Sequence, residues 1–203
     1  MIMPDSKREE CFRTAVFMNK FEKGKEVRRE VLGNYYLLHP SDIFAAYTYA
    51  AYCFLYGEKS DILEQKDAIV EAERVFAIIV QKNHDEWLAR YFSIRLNMLV
   101  SDDFRNDRDI DEDISCFLAD EGDTSDACCQ LTQLLKAESL FNLKKYNESK
   151  YIIGNVKEHC KKIEVLKDFF FNQLSSLYRK MIVCQRADFA EQVLEIQKLM
   201  FGE

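Results

Sequence analysis

An all-α fold is what this sequence predicts, and three observations predict it. Glycine and proline number only 6 and 2 in 203 residues, and tight hairpin turns draw on those two residues. Apolar side chains recur at helical spacing along most of the chain. Capping residues, glycines and one His-Pro step punctuate that pattern at helical lengths. The expectation is about nine or ten helices joined by short loops, paired as antiparallel hairpins. At this length one domain over 1–203 has enough chain to bury a sizeable core.

The elements follow in order. Asp5 or Ser6 is placed to cap a first helix, with Glu9 and Glu10 completing a capping box. Apolar residues at 12, 15, 16, 18 and 21 follow, and Gly24 ends the run. A second helix spans Val27 to Leu38 and stops at His39-Pro40, because a residue before proline avoids the α region. Ser41 caps a third, which Gly57 terminates. Ser60 opens a fourth, to about Gln81, with Ile69, Ala72, Val75, Phe76 and Ile79 on one stripe. The stretch NHDEW at 83–87 restarts the chain into a fifth. A short helix is expected near Ile110 to Leu118. Thr124 or Ser125 then caps a helix to about Leu143, whose partner runs from Tyr146 to Lys161. The last pair is Ile163 to Cys184 and Ala187 to Phe201.

Charge narrows the function. The net charge is −7, which argues against nucleic acid as partner, since phosphate binding needs clustered Lys and Arg. The acidity is local: residues 101–126 hold 11 acidic and 2 basic side chains. Within that segment Asp107, Asp109, Asp111 and Asp113 begin to spell a calcium loop. Such a loop needs Gly sixth and Glu twelfth, and here those places hold Glu112 and Leu118, so the segment reads as a solvated acidic loop. His39, His84 and His159 are scattered, and neighbours such as His159-Cys160 or Cys128-Cys129 point about 100° apart on a helix and cannot readily share one ion. No metal or cofactor is expected. No nucleophile elbow, zinc-protease or phosphate-loop spelling occurs, so no catalytic residues are expected either.

Seven cysteines without a CxxC pair fit a reducing compartment, the cytoplasm. The first ten residues carry no apolar run of the kind a secretory leader needs. No stretch of about 18 apolar residues suggests a membrane span. The sequon at Asn147 would then go unused.

Residues 134–153, LLKAESLFNLKKYNESKYII, hold two helical runs about a Lys-Lys-Tyr corner without glycine. Ala137, Leu140, Tyr146 and Ser149 stand at relative positions 0, 3, 9 and 12, small where two helices would touch and aromatic at the corner. This unit resembles a tetratricopeptide repeat. YAAYCFLYG at 49–57 and RADFAEQVLEIQKLM at 186–200 match more loosely, and the helix before the latter reads about two turns too long. The resemblance implies hairpins stacked into a short right-handed superhelix. It also implies a groove lined by the first helix of each unit.

On that mapping Phe44, Tyr47, Ala51 and Phe54 would line the groove from one helix, and Leu134, Glu138, Phe141 and Asn142 from another. Trp87, Arg90, Tyr91 and Arg95 lie between, setting two cations beside aromatics as protein interfaces often do. The same rings could instead be buried, since a helix apolar on nearly every face must be covered on several sides. The function that follows is a non-catalytic adaptor binding a peptide or a partner subunit. The alternative is an all-α enzyme or a small-molecule or peptide sensor with a pocket inside the bundle. Pairing of two copies through the aromatic C-terminal hairpin, with Phe169-Phe170-Phe171, stays open.

Overall fold

The computed structural model describes residues 1–21, 23–57, 62–99, 110–121 and 126–202. It is all-α, with ten helices among the described residues: α1 Ser6–Asn19, α2 Lys25–Leu38, α3 Ile43–Gly57, α4 Ile62–Lys82, α5 Trp87–Leu99, α6 Ile110–Glu121, α7 Ala127–Asn142, α8 Tyr146–Glu158, α9 Lys167–Val183 and α10 Ala187–Phe201. Two compact units divide the chain, Met1–Arg108 and Asp109–Glu203. Ser60, Thr124, Ser125, Asp107 and Asp109 lie outside the described residues.

In the first unit α3 is central, packed by α1, α2 and α4, and α5 packs on α4. Asp5 caps α1 as expected, its carboxylate accepting the backbone N–H of Arg8 at 2.9 Å. The cap of α3 is Asp42, not Ser41: its Oδ1 accepts from the N–H groups of Phe44 and Ala45 at 3.0 and 3.1 Å. A carboxylate there satisfies two donors that an α-helix start leaves unpaired. Phe12, Tyr47, Phe76 and Phe92 form the centre of the core, with ring centroids 5.1 to 6.4 Å apart. Gly33 lets α2 rest on α3, since a Cβ there would meet the Tyr49 hydroxyl at 3.1 Å.

The chain start is stapled to the α4–α5 corner. The N–H of Ile2 donates to the Asp85 carbonyl and the N–H of Trp87 to the Ile2 carbonyl, an isolated β-bridge. Behind it Arg8 donates from Nε to Glu86 Oε2 at 2.8 Å and from its terminal nitrogen to Oε1 at 2.5 Å, and the Tyr47 hydroxyl donates to Oε2 at 2.9 Å. Arg8, Glu86 and Tyr47 are all buried.

The second unit contains two helical hairpins, α7–α8 and α9–α10, with α6 on α7 and α10 against α8. Ala137 and Ser149 are fully buried where α7 and α8 come closest, and the Ser149 hydroxyl donates to the Ala137 carbonyl at 2.8 Å. A larger residue at either place would push the helices apart. Tyr146 fills the corner against Phe141 and Phe189, and the Arg186 guanidinium lies over Tyr146 and Phe189 at 4.3 and 4.5 Å.

The two corners share one design 41 residues apart. Lys145 N–H donates to the Leu140 carbonyl and Lys144 N–H to that of Phe141; Arg186 does the same to Met181 and Gln185 to Ile182. These are Schellman caps, whose left-handed residue is usually glycine. Here it is Lys144 at φ 61° and Gln185 at φ 58°. A left-handed conformation costs an L-residue roughly 1–2 kcal/mol. Lys144→Gly is therefore expected to raise stability by up to about 1 kcal/mol, read as a higher urea midpoint at unchanged slope.

Two helix ends differ from expectation. α8 stops at Glu158 and α9 starts at Lys167, so residues 159–166 are a connector. Ile163 and Leu166 are buried in it, and the Ile163 N–H donates to the Met200 carbonyl. Their spacing with Phe170 imitates a helical stripe, and so the sequence pattern overruns the real start of α9. The excess length lies in this connector, not in a helix two turns too long.

Candidate functional site

The side chains that the sequence nominated for partner contact fall into different environments. Tyr47 and Trp87 are fully buried, and Phe54, Tyr91 and Arg95 are nearly so. Trp87 stacks on Tyr91 with centroids 5.0 Å apart, and Phe54 tilts against Phe92 at 6.3 Å. Burial, and then the Glu86 carboxylate beside it, hold the Tyr47 phenol well above its ordinary range. Hydrogen bonding to Glu86 raises the Arg8 guanidinium despite its burial. These contacts are core, so Tyr47, Phe54, Trp87, Tyr91 and Arg95 present no exposed wall. Phe44 is partly exposed, with the Lys7 ammonium 6.0 Å above its ring. Arg90 is half-buried. In the second unit Glu138 is buried, accepting from Lys180 at 2.9 Å, and Asn142 is exposed. Of the other groove-facing positions expected, Ala51, Leu134 and Phe141 are buried too.

An open concavity of about 570 Å³ lies instead among α6, α7 and α8. Leu118, Ile152 and Val156 line it with apolar surface, and Gln133, Asn155, Lys136, His159 and Lys161 add polar groups. Each is placed by a local cause. Gln130, almost wholly buried, donates from Nε2 to the His159 carbonyl at 2.5 Å and accepts the Lys161 N–H at 2.9 Å. One carboxamide thereby pins the exit of α8 to α7 and sets His159 and Lys161 at the rim. Lys136 reaches α6, donating to Asp111 Oδ1 at 2.5 Å and to the Ser115 hydroxyl at 2.9 Å. Asp111, Glu112 and Asp113 occupy the first turn of α6, where the helix dipole favours negative charge. Lys136 is thus neutralised by Asp111, and among the described residues Lys161 is the other cation at the rim, beside His159.

Carboxamides of Gln133 and Asn155 offer both donors and acceptors, the pairing that an extended backbone needs, above an apolar floor. Nucleophiles are poor: burial pushes the Cys160 thiol up to about 11, and burial with the Asp126 carboxylate pushes Cys128 up to about 12. Both stay protonated at neutral pH, and the thiolate is the reactive form. Among the described residues no three His, Cys, Asp or Glu side chains gather so as to hold a metal ion, and no helix is long and apolar enough to cross a membrane.

Sequence reasoning missed Gln130, Gln133, Ile152 and Asn155. Their only signal was two carboxamides at i and i+3 on α7, which is too common a spacing to single out. Nothing local to Glu86 marks its long-range pairing with Arg8. No family model matches this chain, and no curated protein or solved structure matches it either.

Proposed function

We propose that this chain is a non-catalytic scaffold that holds an extended segment of a partner protein in the α6–α7–α8 groove. The single observation that carries this reading is the pairing of an apolar floor, Leu118, Ile152 and Val156, with the carboxamides of Gln133 and Asn155. Small-molecule pockets are mostly enclosed, whereas this concavity is about half open to solvent, which leaves room for a chain to enter and leave. Lys161 and His159 at the rim favour an acidic side chain or a terminal carboxylate in that segment. Small, buried Ala137 and Ser149 and the aromatic corner at Tyr146 support a tetratricopeptide-like hairpin as the unit of the scaffold. Its seven cysteines, none in a disulfide, suit the cytoplasm.

Fluorescence polarisation with short labelled peptides, acidic and neutral, tests the proposal. Acidic peptides with apolar residues are expected to bind. Ile152→Glu and Asn155→Arg are expected to weaken binding tenfold or more, about 1.4 kcal/mol, at an unchanged melting temperature, because both side chains are only half-buried. Lys161→Glu should weaken acidic peptides more than neutral ones. Equal binding by the variants, or no binding by any peptide, would overturn it.

A further inference from the structure

The helix α2 turns its most regular apolar stripe outwards. Val27, Val31, Tyr35 and Leu38 recur at intervals of four, four and three residues, and they are 49% to 77% exposed. Helical geometry places these four within about 80° of one another. Gly33 and Tyr36, the buried residues of α2, lie on the opposite side, where the helix rests on α3. Tyr35 meets the His39 ring just past the helix end, with centroids 4.4 Å apart, and all four side chains stay about half or more open to solvent. Arg28 extends it: the guanidinium donates to the Phe21 and Lys23 carbonyls and lies over the Phe21 ring. Phe21 meets Phe17 edge to face at 5.3 Å, and both rings are more than half exposed.

We propose that this face is where a second copy of the chain docks, α2 against α2 and antiparallel. Area is the first argument. Six large apolar side chains, 49% to 77% exposed, present on the order of 700 Å². A monomer's largest apolar patch is typically about 300–600 Å², while each side of a stable interface contributes about 800 Å². Two copies face to face would bury up to about 1,400 Å² in total, within the roughly 1,200–2,000 Å² of a stable interface. Charge is the second argument, and it fixes both the occupant and the direction. All five charged residues of α2, Lys25, Glu26, Arg28, Arg29 and Glu30, lie in its first half, and 31–38 carry none. Lys20 and Lys23 add two cations and Glu22 one anion just before it, which leaves 20–30 net basic by two. A parallel pair would stack these cations on each other. An antiparallel pair sets each basic end beside the other copy's uncharged α2 C-terminus, where the helix dipole is negative. The face is complementary to itself, as a two-fold interface must be.

Sedimentation equilibrium of the full chain from about 1 to 100 μM tests this. The wild type is expected to move from 23.9 kDa towards twice that mass. Val31→Glu, and separately Val27→Glu, should remain monomeric throughout with unchanged helical circular dichroism and melting temperature, since both positions are about 60% exposed. A wild type that stays monomeric at 100 μM overturns the proposal, and so does a Val31→Glu protein that still dimerises. A monomeric wild type that floats with anionic phosphatidylserine vesicles, when Val31→Glu does not, would assign the face to a lipid surface and equally overturn it. Peptide binding in the α6–α8 groove does not enter any of these readouts.

Discussion

Replacing Arg8 with alanine is expected to lower the unfolding free energy by about 3–5 kcal/mol, the usual result of breaking a buried ion pair from one side. Glu86 is only 1% exposed, so the variant strands a carboxylate that, among the described residues, keeps only the Tyr47 hydroxyl as a hydrogen-bond partner. The guanidinium also pairs with Asp5, the cap of α1, at 2.8 Å, so that contact is lost as well. The cost belongs to the stranded charge, not to the pair as such. Replacing the whole set, Arg8→Met with Glu86→Leu and Tyr47→Phe, should therefore recover most of the loss, because a buried ion pair contributes little beyond well-packed apolar groups of similar volume. Urea melts of the single and triple variants measure both numbers. If Arg8→Ala costs under about 1 kcal/mol, the pair is solvated.

Trp87→Ala is expected to cost about 3–5 kcal/mol, the usual range for a large aromatic removed from a core. Its side chain is fully buried and stacked on Tyr91. The sequence made Trp87 equally good as an interface anchor, and the two roles give opposite results. An anchor truncated to alanine would lose partner affinity and keep its melting temperature. A core residue should lose stability, while peptide affinity, measured at a temperature where the variant is still folded, stays within about twofold of wild type. Thermal melts and polarisation on one preparation separate them.

The helices were legible in the sequence because their causes are local. Asp5 caps α1, His39-Pro40 ends α2 and the apolar spacing of 69–79 produces α4. The corner between α7 and α8 was legible too, since small residues at 137 and 149 have a steric reason to be small. Which face of a helix is covered was not. The six aromatics between Phe44 and Tyr56 fit a groove or a core equally well, and only tertiary packing decides that Tyr47 and Tyr52 are enclosed. Conversely the stripe at 27, 31, 35 and 38 has the spacing of a core-facing helix, yet Gly33 turns the other side of α2 inwards by letting Tyr49 approach. The connector at 159–166 misled for a related reason: buried Ile163 and Leu166 continue a helical rhythm through residues that form no helix.

The most direct test of a polypeptide-binding groove is the side-chain NH₂ resonances of Gln133 and Asn155, followed by NMR while an acidic peptide is titrated to saturation. Both should shift in step with the binding isotherm, and Ile152→Glu should abolish the shifts without altering the remaining spectrum. A peptide that saturates the protein and leaves both carboxamides unmoved would contradict the assignment of this groove as the docking site.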